Sequence, residues 1–181
     1  GTINEGYTAN FKVTLSIASE ATTQVELSLI PGDSEGVEVA ALEYNTGSGW
    51  VTVPNDGVVK VPAGQTEFDV RIASIDDAVY EGPEDFSVTV TGIGAVQGSD
   101  TGTATIVDDG SGPGPDPDDD RPSLTISDAG TINEGETANF KVTLSNASEA
   151  ETQVELGLNL GDTEVGDLGT LEYNTGSGWV A

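Results

Sequence analysis

The sequence predicts an all-β protein made of tandem antiparallel, immunoglobulin-like β-sandwich repeats. Apolar residues alternate with a period of two in short runs, which glycine, proline, asparagine and aspartate separate. Residues 1–51 return almost unchanged as residues 130–180. Seven or more short strands in a unit of about 120 residues indicate two packed antiparallel sheets. We find no apolar helical face over three turns.

The repeat defines the domain organisation. GTINEGYTANFKVTLS at Gly1 becomes GTINEGETANFKVTLS at Gly130, and LEYNTGSGWV occurs in both copies. A repeat this long indicates separate domains in a row. We therefore expect one repeat over residues 1–109 that lacks its first strand, a linker rich in glycine, proline and aspartate over residues 110–122, and the N-terminal part of the next repeat over residues 123–181.

The strands of the first repeat follow from alternation along the chain. Side chains at every second position should face the core, and their neighbours should face solvent. The predicted inward-facing residues are Ala9, Phe11, Val13 and Leu15, then Val25, Leu27 and Leu29, then Phe68, Val70 and Ile72, then Phe86, Val88 and Val90, and finally Ala104 and Ile106.

Composition limits the classes of function. Five basic residues against 32 acidic ones give a net charge of −27, which repels nucleic acid and anionic membranes. No apolar run reaches the length of about 18 residues that a membrane-spanning helix needs, so we expect no membrane insertion. The chain has no cysteine, methionine or histidine, which excludes disulfides and the usual zinc, copper and haem ligands. Cations with oxygen ligands remain as partners.

Carboxylates cluster where loops of a sandwich would meet. They precede the first long strand at Glu5, fill the loop with Asp76, Asp77 and Glu81, and end the last strand at Asp108 and Asp109. Carboxylates brought within a few ångströms repel one another unless a cation joins them. Ca²⁺ suits such a set because it accepts six to eight oxygens in flexible geometry.

At these residues the chain resembles the Calx-beta family, and more closely the extender repeats of giant RTX adhesins from Gram-negative bacteria. The matching segments are INEGYTANFKVTLS, VPAGQTEFDVRIASIDDAVYEGPEDFSVTV and GTATIVDD. The resemblance implies a calcium-binding, non-catalytic repeat that extends a cell-surface adhesin in a biofilm and is exported by type I secretion. It implies as calcium ligands Glu5, Asp76, Asp77, Glu81, Asp108, Asp109 and the carbonyl group of Val79.

Further acidic residues leave alternatives open. Asp33 matches a family loop aspartate only loosely. The linker residues Asp116 and Asp118, Asp119 and Asp120 fit either a flexible solvated spacer or ligands that stiffen the joint, and Asp128 could join such a site. Glu134 and Asp162 of the second copy match Glu5 and Asp33, but the chain contains no second-copy counterparts of the other predicted ligands.

The tandem repeat also predicts the partners of this chain. Neighbouring repeats should be the main partners, and the second copy is expected to be completed by another copy of the chain or to lend residues 123–128 to the first repeat. Trp50, Trp179, Tyr44 and Tyr173 raise the alternative of a carbohydrate-binding module. An enzyme is not expected, because adjacent aspartates do not face each other across a cleft and no histidine is present for a triad.

Overall fold

The computed structural model describes residues 1–32 and 39–181. They form two compact units, residues 1–150 and residues 151–181. Among the described residues, no helix has the length and apolar character needed to cross a membrane. The only helical turn in these ranges is a 3₁₀ turn at Val165–Asp167.

Two sheets form the body of the first unit. The strands in chain order are β1 (Thr2–Asn4), β2 (Thr8–Thr14), β3 (Thr23–Pro31), β4 (Glu43–Asn45), β5 (Val51–Thr52), β6 (Val58–Val61), β7 (Glu67–Ala73), β8 (Val79–Tyr80), β9 (Glu84–Ile93) and β10 (Ser99–Val107). One sheet has the order β1-β10-β9-β3-β6 and the other β2-β7-β4-β5. All pairs in them are antiparallel except β1 with β10, which is parallel. The predicted all-β sandwich is confirmed.

The core lies between these sheets and contains the residues that alternation predicted. Phe68, Val70 and Ile72 of β7 are buried, and Val25 and Leu27 of β3 lie opposite them. The remaining predicted positions are buried or partly buried: Ala9, Phe11, Val13, Leu15, Leu29, Phe86, Val88, Val90, Ala104 and Ile106. Branched and aromatic side chains on alternate positions fit a pleated surface with one buried face.

Three short strands belong to the start of the second copy and remain in the first unit. β11 (Leu124–Ile126) pairs antiparallel with β12 (Val142–Leu144), and β13 (Ala147–Ser148) pairs parallel with β8. The residues proposed as a strand for the first repeat therefore pair within the second copy. The edge beside β10 is taken by β1 instead.

The second unit, residues 151–181, contains little regular structure. A single bridge joins Tyr173 and Val180 around the NTGSG turn. Leu156 and Leu158 are exposed, whereas their first-copy counterparts Leu27 and Leu29 lie in β3.

Candidate cation site at one end of the sandwich

Three carboxylates meet at one end of the sandwich. Glu5, Asp108 and Asp118 each offer an oxygen, and these oxygens all lie within 4.8 Å of one another. Glu5 and Asp108 are only 3% exposed, although neither takes part in an ion pair among the described residues. A buried set of like charges is unfavourable without a positive partner. The arrangement therefore favours a bound cation.

Glu5 is positioned by the turn that follows β1. Its amide donates to the carbonyl oxygen of Val107 at 3.0 Å, continuing the pairing of β1 with β10. Gly6 then adopts a positive φ of 73°, and a Cβ at this position would lie 3.2 Å from Asp76. Glycine is required here because the turn needs a left-handed backbone and the Asp76 loop passes close above it.

Asp108 joins three parts of the chain. It directly follows β10, and its two carboxylate oxygens accept hydrogen bonds at 3.1 Å from the amides of Glu81 and Asp120. One amide belongs to the loop after β8, and the other lies beyond the last strand of the sandwich. Asp108 thus fixes both segments around its own carboxylate.

Residues 110–122, which we call the strap, fold back over this end of the sandwich. The amide of Gly110 donates to the carbonyl oxygen of Asp118 at 2.7 Å, and Asp109 forms a bridge with Asp119. The Tyr7 hydroxyl donates to the carbonyl oxygen of Asp116 at 3.0 Å. These contacts bring Asp118 beside Glu5 and Asp108. The strap is therefore held against the sandwich, and one of its aspartates, Asp118, lies with two of the predicted ligands.

Burial and mutual repulsion act on the pKa values of the cluster. Burial raises the pKa of Glu5 to about 7; the Asp77 amide opposes this rise, whereas the charges of Asp108, Glu81 and Asp77 add to it. Burial raises the pKa of Asp118 to about 6, and the adjacent Asp76 carboxyl adds to the rise. The pKa of Asp120 is also raised, first by burial and then by the charge of Asp108. Near neutral pH the Glu5 carboxyl of the metal-free site is therefore partly protonated.

Asp76, Asp77, Val79 and Glu81 surround the cluster. The carboxyl of Asp76 contacts that of Asp118. The Asp77 amide donates to Glu5 Oε1 at 2.9 Å, while the Asp77 carboxylate accepts from the Val79 amide at 2.7 Å. The loop thus helps to position Glu5 through its backbone and keeps further carboxylates at the rim.

Asp109 and Asp119 lie near the cluster but turn to other partners. Asp109 accepts from Ser111 at 2.9 Å, and hydrogen bonding to this serine lowers its pKa. Asp119 pairs with Arg121 through two hydrogen bonds of 2.7 and 2.8 Å, which lower its pKa as well. In this arrangement their carboxylates form hydrogen bonds with residues of the strap.

Two further predicted residues, Asp128 and Glu134, are exposed, belong to the second copy and are not grouped with the three carboxylates. Asp33 lies outside the described residues.

Sequence reasoning did not single out Asn4, which anchors the strap. Asn4 is fully buried, and its Nδ2 donates to the carbonyl oxygen of Pro113 at 2.9 Å. Gly112 passes so close to Asn4 Oδ1 that a side chain there would collide with it. The available signal was an asparagine directly before the predicted glutamate, but a polar residue beside a turn does not reveal a partner more than 100 positions away.

The donor set fits a hard divalent cation. All the grouped side chains offer carboxylate oxygens, and Asp118 Oδ2 is buried without a hydrogen-bond donor from the described part of the chain. Ca²⁺ prefers such oxygens and tolerates irregular geometry, whereas Mg²⁺ demands near-ideal octahedral coordination. Glu5, Asp108 and Asp118 would hold the ion, with Asp76 and Asp120 beside them.

Trp50, named for the carbohydrate alternative, has another partner. The Arg71 guanidinium lies 4.1 Å from the centre of its ring, and Arg71 also donates to Glu43 at 2.8 Å. A guanidinium over the ring occupies one of the two faces on which a sugar could stack. Trp179 is 63% exposed and has no such partner among the described residues.

Comparisons with known proteins give similarities to solved structures only. The scan of family models and the search of curated proteins give no match. The calcium-binding domain CBD12 of CALX1.1 is similar with a TM-score of 0.44 and 21% identity, over 59% of this chain and 40% of that one. The apo-form Calx CBD1 domain is similar with a TM-score of 0.40 and 20% identity, over 59% of this chain and 87% of that one. The CsuC–CsuE chaperone and tip adhesion subunit complex of Acinetobacter baumannii is similar with a TM-score of 0.38 and 12% identity, over 80% of this chain and 67% of that one.

Proposed function

We propose that this chain is part of a tandem array of calcium-binding β-sandwich repeats. The observation that carries the proposal is the convergence of Glu5, Asp108 and Asp118 to within 4.8 Å. The first directly follows β1, the second directly follows β10, and the third lies in the strap. An ion bound to all three would therefore link both ends of the repeat and the segment that leads to the next one.

The proposed role is mechanical and non-catalytic. Without calcium, the repelling carboxylates would leave the strap weakly held. With calcium, neutralised charge would fix the strap on the sandwich and limit the angle between neighbouring repeats. Binding to the folded state alone stabilises it by about 2.7 kcal/mol at a ligand concentration of 100 Kd. For a unit of this size, that corresponds to a rise in Tm of roughly 5–10 °C.

The wider setting of this role rests on the sequence resemblance. We propose that the parent protein is a bacterial surface adhesin, that these repeats extend it from the cell, and that extracellular calcium stiffens them after type I secretion. The excess of acidic over basic residues is compatible with a chain that stays loosely folded in low calcium and folds outside the cell.

Calcium titration of matched variants tests the proposal. Isothermal titration calorimetry and thermal unfolding would compare the natural protein, Asp118→Asn and the neighbouring Asp119→Asn in calcium and in chelator. We expect the first substitution to weaken calcium binding at least about tenfold through loss of a charged ligand. The second removes a carboxylate that already pairs with Arg121 and should leave affinity nearly unchanged. Absence of calcium binding by the natural protein would refute the proposal, and equal losses in both variants would refute the assigned ligand.

A further inference from the structure

The short strand β8 pairs with a strand from the second copy. Ala147 pairs with Val79 and Ser148 with Tyr80 in parallel register, and the Glu149 amide donates to the carbonyl oxygen of Tyr80 at 2.9 Å. A short exposed strand presents unpaired backbone groups that can accept another strand. Here the added strand comes from the repeat that follows in the chain.

Asn146 fastens the same turn to the strap. Its Nδ2 donates to the carbonyl oxygen of Asp120, and its Oδ1 accepts from the Ser145 hydroxyl at 2.5 Å. Ser145 is itself bonded to the chain just after the strap, because its amide donates to the carbonyl oxygen of Ser123 at 3.0 Å. One side chain therefore bridges the strap of the first repeat and the turn of the second.

The first copy shows which position distinguishes this turn. Residues 16–20 read SIASE, and residues 145–149 read SNASE. The single difference places Ile17 where the second copy has Asn146. Ile17 is 78% exposed, and an aliphatic side chain offers no hydrogen bond to a neighbouring strap. With only two paired residues in β13, the side-chain bond forms a substantial part of the contact.

We propose that the edge of β8 is a docking surface for the SNASE turn of the following repeat, and that asparagine at position 146 determines this docking. The occupant is a segment of the same chain. The backbone pairing of β13 gives the turn its direction, and Asn146 sets its position by reaching the strap. A repeat with isoleucine at this position lacks the side-chain bond and would dock more weakly.

Disulfide trapping tests the docking, because the natural chain has no cysteine. Tyr80→Cys with Ser148→Cys places two thiols at paired positions, within the Cα separation that a disulfide spans. The control pair is Tyr80→Cys with Thr137→Cys, an exposed site that does not pair with β8. In about 10 mM calcium we expect the first pair to oxidise at least about tenfold faster than the control, and Asn146→Ile to remove most of that difference. Ile17→Asn is the matched control and should leave the rate unchanged.

Hydrogen exchange in the protein with its natural Tyr80 provides a second reading. The Glu149 amide should be protected in the natural protein and lose that protection in Asn146→Ile. Equal oxidation rates for the two cysteine pairs, disulfides formed only between separate chains, or a Glu149 amide that exchanges freely in the natural protein would each overturn the proposal. Repeating the oxidation and exchange measurements in chelator shows whether docking depends on calcium. Calcium binding itself is measured separately by the calorimetric titration.

Discussion

The two copies of the repeated segment have nearly the same sequence but adopt different structures. In the first copy, residues 8–14 form β2 and pair along their whole length with β7. In the second copy the equivalent residues are 137–143, and only the exposed strand Val142–Leu144 forms at their end. The counterparts of β7, β9 and β10 are not among the 181 residues, so the second copy has no such partners here. A strand sequence therefore needs its partner before it becomes part of a sheet.

The turns behave differently, because both copies keep them. Asn45 Oδ1 accepts from Gly47 and Gly49 at 2.8 and 3.1 Å, and Asn174 Oδ1 accepts from Gly176 and Gly178 at 2.7 and 3.1 Å. These glycines have positive φ values in both copies. A turn closed by a side chain on its own backbone is complete within a few residues. Local chemistry therefore decides the turns without help from the sheets.

Removal of a shared phenylalanine should produce the largest contrast between the copies. Phe11 packs edge-to-face on Phe86 with ring centres 6.2 Å apart, whereas Phe140 is 55% exposed. Phe11→Ala should lower the free energy of unfolding by about 2–4 kcal/mol through lost burial. Phe140→Ala should change it by less than about 0.5 kcal/mol. Urea unfolding of both variants measures the difference, and similar losses would show that the second copy is packed as well.

The second largest contrast should be in calcium affinity, between the equivalent glutamates Glu5 and Glu134. Glu5→Gln removes a buried carboxylate from the cluster, so calcium binding should weaken at least about tenfold, or about 1.4 kcal/mol. Glu134→Gln changes the equivalent but exposed residue and should leave the strongest binding unchanged. Calorimetric titration of the two variants makes the comparison. An equal effect at both positions would mean that the second copy has a site of its own.

The raised pKa of Glu5, about 7, predicts that both stability and calcium affinity depend on pH. Because the folded protein takes up this proton more readily than the unfolded chain, metal-free stability should be greater at pH 6 and decline as pH rises through 7. Calcium competes with the same proton, so its affinity should fall up to about tenfold from pH 8 to pH 6. Unfolding and titration across this range measure both trends. Glu5→Gln should reduce them, and their full persistence there would assign them to other carboxylates.

The tryptophans at equivalent positions, Trp50 and Trp179, should give the smallest difference in stability between the copies. Trp50→Ala removes the contact with Arg71 and should cost about 1 kcal/mol. Trp179→Ala should have almost no effect on unfolding, because its ring is exposed. Thermal unfolding compares them, and an unchanged Tm for Trp50→Ala would mean that the stacked guanidinium adds no net stability.

Much of the fold and part of the candidate site could be predicted from the alternation of apolar residues and the positions of the acidic ones. Period-two patterning identified the inward positions of β2, β3, β7, β9 and β10 because pleated strands present alternate residues to one face. The acidic motifs at Glu5 and Asp108 predicted residues that do converge. The parallel pairing of β1 with β10 was not predicted, since a three-residue strand carries too little pattern to specify its neighbour.

The sequence by itself determined the repeat, the turns, the faces of the long strands and the acidic character of their ends, because each depends on residues close together in the chain. Only the tertiary structure decided that Asp118 joins Glu5 and Asp108, that Asp119 turns to Arg121, and that Asn4 holds the strap. These choices depend on hydrogen bonds between distant residues, and neighbouring aspartates look alike until those bonds distinguish them. The same physical reason explains why one sequence forms a sandwich in the first copy and remains largely unpaired in the second.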